Sequence, residues 1–347
     1  MDLPDKDFAT MDARLSEPLA RGPALSIPTD RREFDGFDRH YREVIAPFLA
    51  SQEERRKNAV TLFAVGLTAS GAIATLLYLL KPLGSASIHV AILAIVFGVG
   101  LANAPLGLLK RRLSDDVLAK VCDWFGFDYR PKIDRPAYAQ TLIDRKLFGA
   151  FNREDWEDAV TGAYRDCGFT LCEARLRYRS SGKSRSTRTV FDGQILAIDY
   201  PRSFASVTVL RRDLGLANRL GKPGNDFSRV GLASPEFEKA FEAWSRDQVE
   251  AHTLLDPIVL ERFNELNRLF NNAGLQAVFE DGKLLIAVQT GDRLAIGTMF
   301  KPLTSPERVE TILKEFDVIF DLIDVAVASV SGRLTGALTL DAIRRAT

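Results

Sequence analysis

Two long stretches without a carboxylate, a lysine or an arginine constrain this chain more than any other feature. Residues 59–80 read AVTLFAVGLTASGAIATLLYLL, and residues 86–109 read ASIHVAILAIVFGVGLANAPLGLL. Each has about 20 or more residues, enough at 1.5 Å rise to cross a bilayer core of ~30 Å. Backbone groups in hydrocarbon must satisfy one another, so both runs are predicted to be helices. The turn between them, 81–85, adds Lys81, and His89 follows close to it. The mean hydropathy of -0.04 conceals this pattern, because nearly all of the 46 basic and 46 acidic residues lie outside the two runs. Balanced charge excludes the basic excess of a nucleic-acid binder, so no nucleic acid is expected as a partner.

The flanks orient the pair. Arg55, Arg56 and Lys57 precede the first run, and Lys110, Arg111 and Arg112 follow the second. The positive-inside bias then places both termini in the cytoplasm and the turn outside. Neither run holds Asp, Glu or Arg, which disfavours an ion or proton pathway through them, and His89 sits near the outer interface. Small residues share faces: Gly66, Ser70 and Ala74 in one run, then Gly98 and Ala102, with Leu106, in the other. Small-xxx-small spacing serves either a homo-oligomer or packing of one helix on the other, and the second needs no partner.

Outside the membrane runs the chain divides further. Residues 1–30, acidic and proline-bearing, read as a flexible tail and lack the basic start of a secretory signal. Residues 31–58 form a helical arm with Phe34, Phe37, Tyr41, Val44, Ile45 and Phe48 on one face, kinked or interrupted at Pro47. Residues 59–109 are the hairpin. Residues 110–150 read as a helical stalk, with Ser114 as a cap ahead of Asp115 and Asp116 and with breaks at Pro131 and Pro136. Residues 151–347 switch to an α+β pattern. Strands are expected over 172–179, 191–200 and 204–210, and 158–165 is ambiguous between helix and strand. A hairpin of 276–279 and 284–288 is expected about Asp281-Gly282. Asp256-Pro257 and Ser305-Pro306 start two helices, the second with a stripe of Val309, Ile312, Leu313, Phe316, Ile319, Phe320 and Ile323. The fold class is therefore α+β: a two-helix transmembrane hairpin plus a cytoplasmic domain with a mostly antiparallel sheet and packed helices.

One family pattern spans much of that domain. It consists of Val190-Phe191-Asp192-Gly193 with Asp199, then Phe237-Glu238-Lys239-Ala240-Phe241-Glu242, Gln248-Val249-Glu250-Ala251 and Leu255-Asp256-Pro257. Asp281-Gly282-Lys283-Leu284-Leu285-Ile286-Ala287 closes it. Residues 189 to about 302 thereby resemble a bacterial two-span membrane family known as domain of unknown function 3137, from which His252 and Trp244 depart. The resemblance implies a multi-pass protein of the bacterial cytoplasmic (inner) membrane. It brings no agreed activity, cofactor or catalytic residue, and it points to small coiled-coil membrane proteins of the LemA type as partners.

No pattern in the chain demands a cofactor. Gly182-Lys183-Ser184 has the ending of a phosphate loop, but Arg177 stands where the first glycine belongs. Gly98 and Gly100 lie in a membrane run. Cys167 and Cys172 lack the other two ligands of a zinc site, and with Cys122 they make an odd count suited to buried thiols in a reducing compartment. Asp317, Asp321 and Asp324 share one helix face and read as a solvated or partner-facing surface sooner than a cation site. His252 beside Glu250 and Asp256 offers the one place for an enzyme pocket without a recognised motif. The best candidate for binding is basic: Arg175, Arg177, Arg179, Lys183, Arg185 and Arg188, on one strand and the loop after it. These residues suit anionic membrane lipids or an acidic protein surface. The sequence therefore predicts a membrane-anchored scaffold or binding module, with an enzyme as the alternative.

Overall fold

The structure, a computed structural model, describes residues 25–27, 31–80, 84–181, 186–212, 222–232, 234–270 and 274–331. Most of the tail expected over 1–30, together with Lys183 and Arg185, lies outside the described residues. The chain forms two compact units.

The first unit includes Phe34–Leu106 and Thr298–Glu310. A helical turn, Phe37–His40, passes through a π-helical turn, Tyr41–Ile45, into α1, Ala46–Leu80. The arm and the first apolar run are thus one helical path, and Pro47 does not interrupt it. The widened turn just ahead absorbs the missing N–H and the bulk of the proline ring. The second run opens α2, Ser87–Phe125. The two runs meet through their small residues. A Cβ on Gly66 would lie 2.6 Å from Ala102 Cβ, and one on Gly98 would strike the Ser70 side chain. Ser70, Ala74, Ala91, Ala102 and Leu106 are buried in this seam, whereas Leu62, Val65, Ile73, Leu93, Phe97 and Leu101 face outward. Both helices are long and apolar enough to cross a membrane.

The second unit includes Gly107–Gly297 and Thr311–Thr347, with Pro28–Glu33. Ser114 does not cap a helix here: α2 runs unbroken past it, so the first part of the expected stalk is a continuation of the second apolar helix. The Ser114 hydroxyl instead accepts from the Ile296 N–H at 3.2 Å. After α2 the chain forms β1 (Asp128–Lys132), α3 (Tyr138–Asp144), β2 (Arg153–Tyr164), β3 (Cys167–Arg179) and β4 (Thr187–Asp199). It continues through β5 (Thr208–Arg212), β6 (Ser228–Val230), α4 (Pro235–Ala240) and β7 (Phe241–Ser245). Then come α5 (Gln248–Leu254), α6 (Pro257–Leu269), β8 (Gln276–Glu280), β9 (Lys283–Val288) and α7 (Glu307–Ser331).

Among the described residues nine strands make one sheet in the order β1-β2-β3-β4-β9-β8-β5-β7-β6, and their pairings are antiparallel. β1 takes the place of a helix in the stalk. It lies at the sheet edge, where Pro131 gives up no ladder bond. Residues 158–165 resolve to strand. Asp158, at φ 53°, sits in a bulge between Glu157 and Val160, and the extra residue breaks the alternation that marks a strand.

One face of the sheet packs Trp156, Cys172, Ala174, Leu176, Ile195, Ala197 and Leu285 with Ala139 and Leu142 of α3. The other face presents Leu171, Leu196, Ile286 and Val288 to Leu266 of α6 and to Val318, Ile319 and Leu322 of α7. Because both faces are covered, Glu173 and Gln194, paired across β3 and β4, are buried, although Glu173 stands on the polar side of the β3 alternation.

Candidate functional site

The six basic residues of the β3–β4 region separate into roles. Arg175 pairs with Asp192 of β4 at 3.1 Å, and Arg177 pairs with Asp155 of β2. These two arginines are part of the sheet's own cross-strand ion pairing. Arg179 and Arg188 are exposed at the loop end of the hairpin, with no acidic partner among the described residues. Arg188 lies opposite Tyr178, and Arg179 lies opposite Thr187.

The direction of β3 beside α2 decides where those two point. At one end of α2, Phe125 stacks on Phe127 at 5.4 Å. Phe127 meets Phe169 edge-on at 5.1 Å and fills the space beside Gly162. At the other end, Arg111 reaches Glu157 at 2.7 Å. β2 therefore runs alongside α2, and β3 runs back from Phe169 toward Glu173, which lies opposite Glu157. Continuing from Glu173 to Arg179 carries the strand about 20 Å further in that direction, at ~3.3 Å per residue. The basic hairpin end thus extends past the level of Arg111.

The basic flanks of the apolar runs are also partly engaged. Arg111 holds Glu157, and Lys110 lies 3.8 Å from Asp292. Arg56 is buried: its guanidinium grips Glu53 at 2.7 and 2.9 Å and donates to the Met299 carbonyl at 2.7 Å. Arg55 bonds Gln52, whereas Lys57 and Arg112 are exposed.

Behind the hairpin lies a group of buried carboxyls that periodicity could not reveal. Glu173 Oε1 accepts the N–H groups of Arg293 and Leu294 at 2.9 and 3.0 Å. Burial, with Asp292 nearby, pushes its pKa up to about 8 against the pull of those two amides. Asp158 accepts from Tyr129 at 2.6 Å, and burial lifts it to about 6. Glu315 of α7 is raised by burial too, while Arg293, at 2.6 Å, pulls the other way. Glu173, Glu315 and Ser114 fasten the segment that follows β9.

The remaining candidates find structural partners. His252 is exposed on α5. Glu250 accepts from the Ala205 and Ser206 amides at 2.8 and 2.6 Å, and Asp256 caps α6 through Ile258 and Val259, each at 2.9 Å. The three therefore do not converge on a cleft. The three cysteines are buried and free; Cys172, against the Tyr138 hydroxyl at 3.3 Å, is raised by burial to about 12 and is no nucleophile at neutral pH. Asp317, Asp321 and Asp324 all bond Arg31. Among the described residues no group of His, Cys, Asp and Glu is arranged to hold a metal ion. A cavity of about 30 Å³ beside Gln194 and Glu315, otherwise walled by apolar side chains, is the size of a single water.

Residues 189–325 match the model of a family described as "Protein of unknown function (DUF3137)". The matched DUF3137 segment begins in β4 and ends in α7, so it contains the Asp192 partner of Arg175, the β8–β9 hairpin and the Arg31-binding aspartates. The apolar helices and β1–β3 lie outside it. A crystal structure of the mycobacterial trehalose monomycolate transport factor A, TtfA, is similar over 62% of this chain and 96% of that one, at 16% identity and a TM-score of 0.33. No curated protein matches the chain.

Proposed function

We propose that the protein is a membrane-anchored binding module that rests the loop end of its β3–β4 hairpin on anionic lipid headgroups. In this reading α1 and α2 cross the bacterial inner membrane, both termini are cytoplasmic, and the sheet domain stands on the cytoplasmic surface. The observation that carries it is the run of β3 back along α2 past Glu157, the partner of Arg111, which leaves Arg179 and Arg188 exposed at the loop end beyond that basic flank. A basic side chain at an anionic surface contributes about 1 kcal/mol, so two arginines bias the domain's posture by about 2 kcal/mol. The outward apolar side chains of both helices support the anchor.

Hydrogen exchange on the full chain in nanodiscs tests this reading. Amides at the end of β3 and the start of β4 should be slowed in discs containing anionic lipid relative to zwitterionic discs. The difference should vanish in the Arg179→Glu/Arg188→Glu double variant. Equal exchange in both lipids would defeat lipid contact and leave an acidic protein, such as one of the LemA type, as the occupant to seek.

A further inference from the structure

The segment Thr298–Glu310 belongs to the same compact unit as the apolar helices, and its first residues are tightly pinned. Arg56 of α1 donates to the Met299 carbonyl at 2.7 Å, and Glu53 accepts the Leu303 N–H at 3.0 Å. Arg308 reaches back to the carbonyls of Thr298, Lys301 and Pro302 at 2.6, 2.7 and 3.0 Å. The side chains on either side of the turn, Met299 and Leu303, are buried at 3% and 0% exposure. Phe300, between them, is held outward at 59% exposure. So many backbone bonds leave no easy rotation that would bring this ring inside.

The ring does not stand alone. Its centroid is 5.7 Å from that of Phe63, edge to face. Phe63 lies within the first apolar run, about 6 Å along the helix from Ala59 at 1.5 Å per residue. Leu62 and Val65, either side of Phe63, are exposed in the same way. Phe300 therefore extends the outward apolar belt of α1 instead of forming a separate patch. Exposed Lys301 and Lys57 stand beside it in the chain or on the helix, the arrangement by which interfacial segments place a ring in the acyl boundary and an ammonium among headgroups.

We propose that the turn about Phe300 is a third membrane contact, in which the Phe300 ring enters the acyl–headgroup boundary of the bilayer beside Phe63. The inference rests on the reading that α1 and α2 span the membrane. It adds that a segment more than two hundred residues later in the chain dips into the same leaflet.

The test uses the full chain in vesicles, with nitroxide labels at Phe300→Cys, Leu101→Cys and Val249→Cys. Leu101 is an outward residue of the second apolar run, and Val249 is exposed on α5 of the sheet domain. The native thiols are buried, and the unsubstituted chain supplies the labelling blank. Label accessibility to oxygen, which concentrates in the bilayer, is compared with accessibility to an aqueous nickel chelate. The label at 300 should show an oxygen-to-nickel ratio several-fold above that at 249 and below that at 101. A bilayer reading at 101 with an aqueous reading at 300 would overturn the inference and leave the hairpin intact. An aqueous reading at 101 would overturn the spanning reading and this inference with it. Exclusion of both reagents at 300 would place a protein surface there, a second copy or a partner, and would likewise overturn it.

Discussion

Arg31 Nη1 donates to Asp324 Oδ2 at 2.5 Å, and the same guanidinium bonds Asp317 at 2.7 Å through Nε and Asp321 through Nη2. The acidic face of α7, which reads in sequence as solvated or partner-facing, is thus occupied by an arginine of the chain itself. Arg165 adds a second contact to Asp324 at 2.7 Å. The acids hold Arg31 protonated against the cost of its burial.

Arg31→Ala should leave carboxylates on successive turns of one helix facing each other without their shared cation. The group is mostly buried, so the loss should fall between values for exposed and buried pairs, about 2 kcal/mol. Thermal unfolding in detergent measures it. Adding Asp317→Asn and Asp321→Asn to Arg31→Ala should recover much of the loss, whereas a merely steric role for Arg31 would show no recovery.

Glu173 makes stability pH-dependent in the direction opposite to an ordinary salt-bridged acid. Its folded pKa, about 8, lies above its ordinary 4.5, so between those values the folded chain holds a proton that the unfolded chain has released. Stability from this group is therefore full below pH 4.5 and is lost as pH rises toward 8. Asp158, at about 6 in the fold against 3.8 ordinarily, adds the same slope over the lower part of that range. Glu173→Gln keeps an oxygen for the Arg293 and Leu294 amides and removes the titration. Its melting temperature should exceed the parent's at pH 8.5 and match it near pH 5, and parallel curves would show that Glu173 is not the group responsible.

The seam of the apolar hairpin should tolerate side chains in one place and refuse them in another. Gly98→Val puts branched carbon where the Ser70 side chain lies, and Gly66→Val presses on Ala102. Each should cost about 1–3 kcal/mol by overpacking. A Cβ at Gly71 or Gly100 meets nothing within 4 Å, so Gly71→Ala and Gly100→Ala should be silent. Midpoints of heat-induced aggregation in mild detergent separate the two classes. If all four substitutions behaved alike, the helices would not be meeting through this face.

What the sequence revealed follows from what its signals depend on. The apolar runs, the Asp256-Pro257 start of α6, the stripe of α7 and the Asp281-Gly282 hairpin are local, and the structure shows each; Asp281 and Gly282 both take positive φ, 50° and 70°. The β2–β3 turn uses the same geometry, but on Arg165 and Asp166, which lack the glycine of an Asp-Gly pair, so β3 begins five residues earlier than its alternation suggests. Glu173 falls on the polar side of the β3 alternation because the segment that buries it, at Arg293 and Leu294, is distant in sequence. In the basic group, composition gave six equal charges. Only the partners Asp192 and Asp155 divide those that build the sheet from those left outside it.

That division yields the sharpest contrast among the arginines. Arg175 spends its charge on Asp192 in a partly exposed pair, so Arg175→Glu should set two acids side by side and lower stability by up to about 1 kcal/mol. Arg179→Glu and Arg188→Glu break no described ion pair and should leave the melting temperature unchanged. Their effect should appear only at a charged surface. The protection of the hairpin end by anionic nanodiscs should fall with each reversal and should weaken in the parent as salt is raised, because exposed charges are screened beyond ~10 Å at 0.1 M. Protection that is insensitive both to salt and to reversal at Arg179 and Arg188 would mean that the hairpin end is covered by something other than headgroup charge.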